Sequence, residues 1–377
     1  MQMTFTDLEA AMVFNGLPHV GPVTLNLLKE HLGLGAAGVL ACKKSELMKV
    51  PGVGPKIADV IFGWEQYFDL DKEMAAVDKK GAAFIPSGDN EYPPLLENIY
   101  DPAVGLYAFG GCRPKEKCIA IVGSRRCTLY GQGMAKRIAG ELAKLDFCVV
   151  SGMARGIDSA AHEGALAVGG KTAAVLGSGL NIIYPPENKD LYERISENGV
   201  VFSEFMMNRR ADRQTFPMRN RLVSGMSQAV IVIETDSHGG SMITAKIAAE
   251  QGRHVFAVPG RVDQVSSRGC HDLIRDGATL LTCVDDLLQE LSYLGQLELD
   301  LTGQPKREAE VALDLSNLDE KESAVLKVLY ELSKGTLDDI FGHLELPQED
   351  IAAVLLMLEL KKKVKKRLDG CFEVFMG

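Results

Sequence analysis

Six short apolar runs, at 118–122, 147–150, 172–176, 199–202, 229–233 and 254–258, alternate with helical patterns near 130–145, 157–168, 188–197, 217–225, 241–251 and 268–276. A strand that is apolar throughout is covered on both faces, and strands separated by helices are joined by crossovers. This stretch is therefore expected to fold as an α/β unit around a doubly wound, mostly parallel sheet of the Rossmann-like type. Ligands of such sheets bind beyond the carboxyl ends of the strands, so the residues that follow each run are the ones that bear on function.

Those residues are rich in arginine. The first run passes into Gly123-Ser124-Arg125-Arg126, and a helical pattern begins near Thr128. Strand, turn and helix start is an arrangement that binds anions, because backbone N–H groups and the positive end of the helix dipole face out of the turn. Arginine adds a planar fork suited to phosphate. The second run ends in Ser151-Gly152-Met-Ala-Arg155-Gly-Ile-Asp158, and the third in Gly177-Ser-Gly179, leading to Tyr184-Pro-Pro. The fourth ends in Ser203-Glu204-Phe205 and opens a loop carrying Arg209, Arg210 and Arg213, which runs into Phe216-Pro-Met-Arg219-Asn220-Arg221. The fifth leads through Glu234 to Ser237-His-Gly-Gly240-Ser241, and the sixth ends in Val258-Pro-Gly260. Eight arginines thus fall on one edge of the sheet. The chain as a whole carries a net charge of −10, so its surface is not a general attractant for nucleic acid. One basic edge on an acidic protein suits an extended polyanion better than a single small phosphate. Phe205 and Phe216 beside it suit either base stacking or core packing.

With 377 residues and roughly 150 per domain, two or three domains are expected. Residues 1–75 consist of short helical patterns with an internal rhyme: Leu17-Pro-His-Val-Gly21-Pro and Val50-Pro-Gly-Val-Gly54-Pro each precede an apolar helix. Glycine turns opening helices are the signature of helix-hairpin-helix units, which present backbone N–H groups to DNA phosphate or serve as compact helical caps. From 76 to 117 short strands are expected at Phe84-Ile85 and Val104–Phe109, with Glu91-Tyr-Pro-Pro-Leu-Leu96 as an extended loop fixed by its prolines. The α/β unit spans 76–294, 295–317 is a polar, acidic linker, and 318–377 is a third unit. In that unit helices near 320–333, 336–341 and 347–363 precede strands 364–368 and 372–375, joined by Asp369-Gly370; this order is that of a winged helix. Its third helix opens Gln348-Glu-Asp where a base reader would carry Arg or Asn, so a role in phosphate or protein contact fits better than sequence reading. The basic run Lys361–Arg367 follows at the wing.

Several alternatives are excluded. The eight cysteines form no CxxC and no Cys/His set with zinc spacing, and their scatter suits a reducing cytosol. Cys270-His271 reads as packing. No signal peptide and no apolar run of about 20 residues is present, so a cytoplasmic protein without membrane attachment is expected. No G-x-G-x-x-G follows the first strand: Gly131-Gln-Gly133 falls inside the next helix. Ala165–Thr172 approaches a P-loop but lies between a helix and a strand instead of the reverse. Asp158 and His162, four apart on one helix face, read as a structural hydrogen-bonded pair.

Taken together, Ile121-Val-Gly-Ser-Arg125, Ser151–Asp158, Phe216–Arg221, Gly240-Ser-Met-Ile-Thr-Ala245 and Gly269-Cys-His-Asp-Leu-Ile274 resemble the DNA-processing protein A (DprA, or Smf) family, closely over about 80–290. The resemblance implies a non-enzymatic, cofactor-free protein that binds single-stranded DNA and loads the RecA recombinase during natural transformation. It assigns the DNA groove to Gly123, Ser124, Arg125, Arg155, Arg213, Arg219 and Arg221; Arg126, Ser151, Gly152, Phe216, Asn220, Gly240 and Ser241, beside them at the strand ends, are expected to take part in binding the strand as well. The resemblance assigns homodimer contacts to Leu273, Ile274 and Leu280. Met153 stands where the family usually has leucine, a volume-conserving change; Arg209 and Arg210 have no counterpart in the pattern. The competing class, a nucleotide-monophosphate phosphoribohydrolase on the same type of sheet, resembles enzymes that need a glutamate soon after a Gly-Gly turn. Here Gly239-Gly240 is followed by no acid until Glu250.

Overall fold

The computed structural model of the chain describes residues 5–115, 117–293, 318–331, 336–344, 346–361, 363–366 and 371–374. It divides into two compact units, residues 1–298 and 299–377. The stretch 295–317 expected as a linker and the Asp369-Gly370 turn lie outside the described residues.

The first unit is built on a nine-stranded sheet: β1 (Ala83–Pro86), β2 (Gly105–Phe109), β3 (Cys118–Gly123), β4 (Cys148–Ser151), β5 (Thr172–Leu176), β6 (Val200–Ser203), β7 (Ala229–Ile233), β8 (His254–Ala257) and β9 (Thr279–Leu280). Their order is β1-β2-β6-β5-β4-β3-β7-β8-β9. From β6 to β9 every pairing is parallel; β1 and β2 add an antiparallel edge. This is the Rossmann-like α/β sheet that the apolar runs imply. Alternate residues of each strand enter separate cores, as the two-residue period demands. Ile119, Ile121, Val149, Ile231 and Ile233 pack with helices Leu129–Lys144, Ile157–Ala167 and Val284–Tyr293 on one face. Ala120, Val122, Val150, Val230 and Val232 pack with helices Thr215–Gly225, Gly240–Glu250 and Val265–Arg275 on the other. The chain leaves β3 toward β4 on one side and returns to it as β7 on the other, so the switch point of the topology lies between β3 and β7.

The N-terminal helices share a core with this sheet. Val13, Phe14, Leu28, Leu47 and Ile61 are buried in one cluster with Tyr107, Leu176 and Tyr192. The sequence rhyme has a backbone cause. Gly21 and Gly54 are both N-caps of helices whose first residue is proline, Pro22–Leu32 and Pro55–Phe62. At the matching turn positions His19 has φ 63° and Gly52 φ 87°. Glycine adopts that region freely, whereas histidine does so at a cost.

Two expectations need correction. Pro94–Glu97 is one turn of helix and not extended, because Pro94 sits at the first helical position, where its fixed φ suits a helix start. Asp158 and His162 do not bond to each other. The Asp158 carboxylate accepts the N–H groups of Gly152 (3.1 Å) and Ala154 (3.3 Å), closing the turn after β4. His162 Nδ1 lies 2.7 Å from Thr172 Oγ1.

In the second unit helices Glu320–Glu331, Leu337–Phe341 and Gln348–Leu360 precede an antiparallel pair, β10 (Val364–Lys366) and β11 (Phe372–Val374). Val325, Leu329, Ile340, Ile351, Leu355 and Leu358 form its core.

Candidate nucleic-acid interface

At the switch point the strand ends enclose an open cleft of about 830 Å³. Its lining brings together Gly123, Ser124, Arg125, Arg126, Gly152, Arg213, Phe216, Arg219, Asn220, Gly240 and Ser241, which the sequence draws from four separate motifs. Tyr184 and Asp158 line it as well. Arg155 lines a narrower recess at its Tyr184 end, together with Gly177 and Ser178.

The centre is a cationic aromatic stack. The Arg125 guanidinium carbon sits 4.9 Å from the centroid of Phe216, and the Tyr184 ring lies 5.7 Å from Phe216 at 47°. Phe216 is half-buried and Tyr184 is 40% exposed, so both keep open ring surface. Tyr184 is the site residue that the strand-end reading passed over. Its only signal was position, on the loop leaving β5, beside a proline pair.

The first turn works differently from the expectation. Two of its backbone donors are used within the protein: Ser124 N–H donates to the Glu234 carbonyl (2.7 Å) and Arg126 N–H to Ser124 Oγ (3.0 Å). The start of helix Leu129–Lys144 already holds an anion, the Glu234 carboxylate, which accepts from Thr128 N–H (2.7 Å) and the Thr128 hydroxyl. The turn also presents the Arg125 and Arg126 side chains to the cleft. The helix that opens on the cleft is Gly240–Glu250, whose N-cap Gly239 supplies no side-chain cap, leaving its positive end toward a ligand.

The arginines divide into three groups. Arg125, Arg126 and Arg213 point into the cleft. Arg219 is 4% exposed and its guanidinium donates to the Gly152 and Val175 carbonyls, the latter at 2.6 Å. It is a strut under the cleft floor, and burial pulls its pKa down against the opposing pull of Asp158. Arg221, on another side of the same helix, does not reach the cleft. It is held by Glu204 and by Asp101, at 3.2 Å. Burial raises the Glu204 pKa while Arg221 opposes that rise. Ser151 is also outside the cleft, fully buried with its hydroxyl donating to the Ile121 carbonyl (2.6 Å). Arg155 is exposed and paired with Glu187. Arg209 pairs with Asp212, whose other carboxylate oxygen caps Gln214 and Thr215; Arg210 is exposed on the same loop. Phe205 is half-buried and does not line the cleft. Leu273 and Ile274 are half-buried on helix Val265–Arg275, and Leu280 is exposed on the edge strand β9.

Beneath the floor His162 is fully buried, and burial together with Arg219 pushes its pKa down to about 3. Thr172 donates its hydroxyl proton to the Val149 carbonyl (2.6 Å), so His162 Nδ1–H donates to Thr172, and Nε2 has no partner. The unfolded histidine titrates near 6.5. The folded value is depressed, so this contribution to stability is complete above pH 6.5 and is lost as pH falls toward 3; about 2 kcal/mol is gone at pH 5. His162→Gln removes this titration. Urea unfolding at pH 7 and pH 5 should show the wild type losing about 2 kcal/mol more than the variant between the two. Parallel losses would show that His162 is not held neutral. Asp158 and Glu204, whose pKa values burial raises, act in the opposite sense in both proteins and cancel in the comparison.

Among the described residues no cluster of His, Cys, Asp or Glu is arranged to hold a metal, and no helix is long and apolar enough to cross a membrane. Cys270 Sγ contacts the Val232 carbonyl and His271 contacts that of Gly260, so these neighbours do not act together.

Fold and cleft together define an α/β protein of the Rossmann-like class with a cationic, aromatic cleft at its topological switch point. The family model for DNA recombination-mediator protein A matches residues 83–292, and a helix-hairpin-helix model matches 36–64. The chain belongs to the DNA recombination-mediator protein A (DprA, or Smf) family. It is 39% identical over 233 residues to the DNA processing protein DprA of Streptococcus pneumoniae, covering 61% of this chain and 81% of that one. It is 36% identical over 284 residues to protein Smf of a Synechocystis species, covering 74% and 71%. The X-ray structure of DprA from S. pneumoniae superposes with a TM-score of 0.64 at 32% identity, covering 76% of this chain and 99% of that one. The structure of DNA processing protein A from Helicobacter pylori, a protein with a single-stranded DNA binding mode, gives 0.50 at 30%, covering 56% and 96%.

Proposed function

We propose that this protein binds single-stranded DNA in the Arg125–Phe216 cleft and delivers it to the RecA recombinase in natural transformation, acting in the cytoplasm as a homodimer and without catalysis. The observation that carries the reading is the Tyr184–Phe216–Arg125 stack. Open aromatic faces accept bases of any sequence, and cations beside them meet the backbone. The single-stranded DNA binding of the H. pylori relative supports it. The carboxylates around the cleft are tied down: Glu234 by Thr128, Asp158 by Gly152 and Ala154, and Asp236 by the His238 N–H (2.7 Å). That argues for holding a ligand, not hydrolysing one. Self-association is assigned to Leu273, Ile274 and Leu280 at the β9 edge. The second unit is read as a winged helix that contacts phosphate or protein.

Fluorescence anisotropy with a labelled mixed-sequence strand tests the reading. The protein should prefer it to matched duplex, and affinity should fall steeply with salt. Arg125→Ala removes one stacked cation and should weaken binding on the order of ten- to a hundredfold. Equal competition by duplex, or wild-type binding by Arg125→Ala, would remove the cleft from consideration.

A further inference from the structure

The helix Leu70–Lys80 carries a feature that the cleft does not use. Lys72, Ala75, Ala76 and Lys79 follow the three- and four-residue spacing of one helix face. With Lys80, Asn181 and Asn208 they line a groove of about 570 Å³. Lys72 and Lys79 are exposed, and among the described residues neither forms an ion pair. The two alanines leave a channel between them. The acidic residues Asp71 and Asp78 sit one position back on the helix, about 100° around it, and neither lines the groove. Lys80 is fixed by two rings, its ammonium 4.5 Å from the centroid of Phe109 and 4.8 Å from that of Tyr192. Glu193, on the element packed beside it, faces Lys80. Glu73 is buried beneath the groove, its carboxylate taken by the Met207 N–H at 2.7 Å, so the bond pins the 204–213 loop to this helix. Asn181 Nδ2 donates to Asn208 Oδ1 at 3.0 Å, which leaves the Asn208 amide N–H groups as donors.

Two segments run from this groove to the cleft. Asn208 lines the groove, Ala211 lines the narrower recess at the Tyr184 end of the cleft, and Arg213 lines the cleft itself. Asn181 lines the groove, and Gly177 and Ser178 line the same recess. Two residues lie between Asn208 and Ala211, and two between Ser178 and Asn181, so each span is three residue steps, a reach of at most about 11 Å. A strand rising about 3.4 Å per nucleotide crosses that distance in roughly three nucleotides. Arg209 and Arg210 lie on the loop between.

We propose that the Lys72–Lys79 groove is a second backbone-binding subsite, and that a DNA strand seated in the Arg125–Phe216 cleft continues over the Arg209–Arg210 loop into it, onto the N-terminal helical region. The groove's occupant is a phosphate backbone. It presents lysines and amides but no open aromatic face, so it tracks charge and does not stack bases. The proposal rests on the cleft reading above and predicts a dependence on strand length that the cleft alone does not produce.

The test uses the full chain and oligothymidylates of about 6 and about 20 nucleotides, with wild type, Lys72→Ala/Lys79→Ala and Arg125→Ala. The lysine pair is on the surface and away from any core, so folding should be unaffected, and circular dichroism verifies this. Arg125→Ala should weaken both lengths. The lysine variant should match wild type on the short strand and bind the long one at least fivefold more weakly. Its log–log salt slope on the long strand should shrink by about 1.4, two phosphate contacts at about 0.7 each. Unchanged binding of the long strand, or an equal loss on both lengths, overturns the second subsite while leaving the cleft intact. Wild-type binding by Arg125→Ala overturns the cleft reading instead, and the second subsite with it.

Discussion

Arg219→Ala should cost about 3–5 kcal/mol of stability and lower the melting temperature by on the order of 10 °C, with loss of DNA binding as a consequence and not a cause. The guanidinium is buried and spans two strand ends, donating to the Gly152 carbonyl after β4 and the Val175 carbonyl in β5. Truncation leaves both carbonyls without that donor, opens a void beneath Gly152, and removes the cation that offsets the buried Asp158 carboxylate. A Cβ on Gly152 would collide with this guanidinium, so the glycine and the arginine are one device. Arg219→Lys keeps the charge without the fork that reaches both carbonyls, and should recover only part of the loss. Thermal melts of the two variants beside Arg125→Ala decide the matter. A wild-type melting temperature for Arg219→Ala with weakened DNA binding would return Arg219 to the role of a direct phosphate contact. Arg125, exposed to the cleft and stacked on one ring, should separate cleanly as a binding residue with little effect on stability.

The contrast between Arg219 and Arg221 shows what a sequence conveys and what it withholds. The sheet was legible because its strands are apolar on both faces and their spacing admits a helix between each. The position of the cleft followed from the polar residues after each run. The roles within Phe216–Arg221 did not follow. Both arginines stand in one motif, and the partners that distinguish them come from elsewhere in the chain: Gly152 and Val175 for one, Asp101 and Glu204 for the other. The same limit applies at the first turn. Thr128 is recognisable as a helix cap, but Glu234, 106 residues later, fills the anion position at that helix start, and only the β3–β7 pairing brings the two together. Tyr184 was visible as a residue but not as a partner of Phe216, since the loop that carries it is placed by packing and not by a local pattern.

The second large effect is expected from Gly156→Ala, because this glycine shapes the Arg125 turn from the far side. Its φ is 76°, in the region that side chains avoid, and its ψ of −121° leaves it outside the left-handed helical well that Asn or Asp would accept. A Cβ would collide with the Ser124 carbonyl oxygen and approach the Arg125 carbonyl carbon to 3.0 Å. Both are backbone atoms, so no side chain can swing aside. The Ser124 carbonyl is also the acceptor for the Ile157 N–H at 3.2 Å, which anchors the helix Ile157–Ala167 to the turn. The substitution therefore combines a strained backbone of about 1–3 kcal/mol with a steric shift of the turn, for a total of at least about 3 kcal/mol. It should also weaken single-strand binding at least as much as Arg125→Ala, because Arg125 is carried off Phe216 while its charge remains. Gly133→Ala is the matched control, a glycine inside the helix Leu129–Lys144 whose added Cβ meets nothing within 4 Å. It should gain up to about 1 kcal/mol from helix propensity and bind DNA as wild type. Melting curves and anisotropy on the same preparations read both effects. If Gly156→Ala binds normally at a temperature where it is fully folded, the position of Arg125 over Phe216 is not what the strand recognises. If it is folded and fails to bind while retaining both residues, the stack itself is the recognition element, and the conformation of the β3 turn matters as much as its charge.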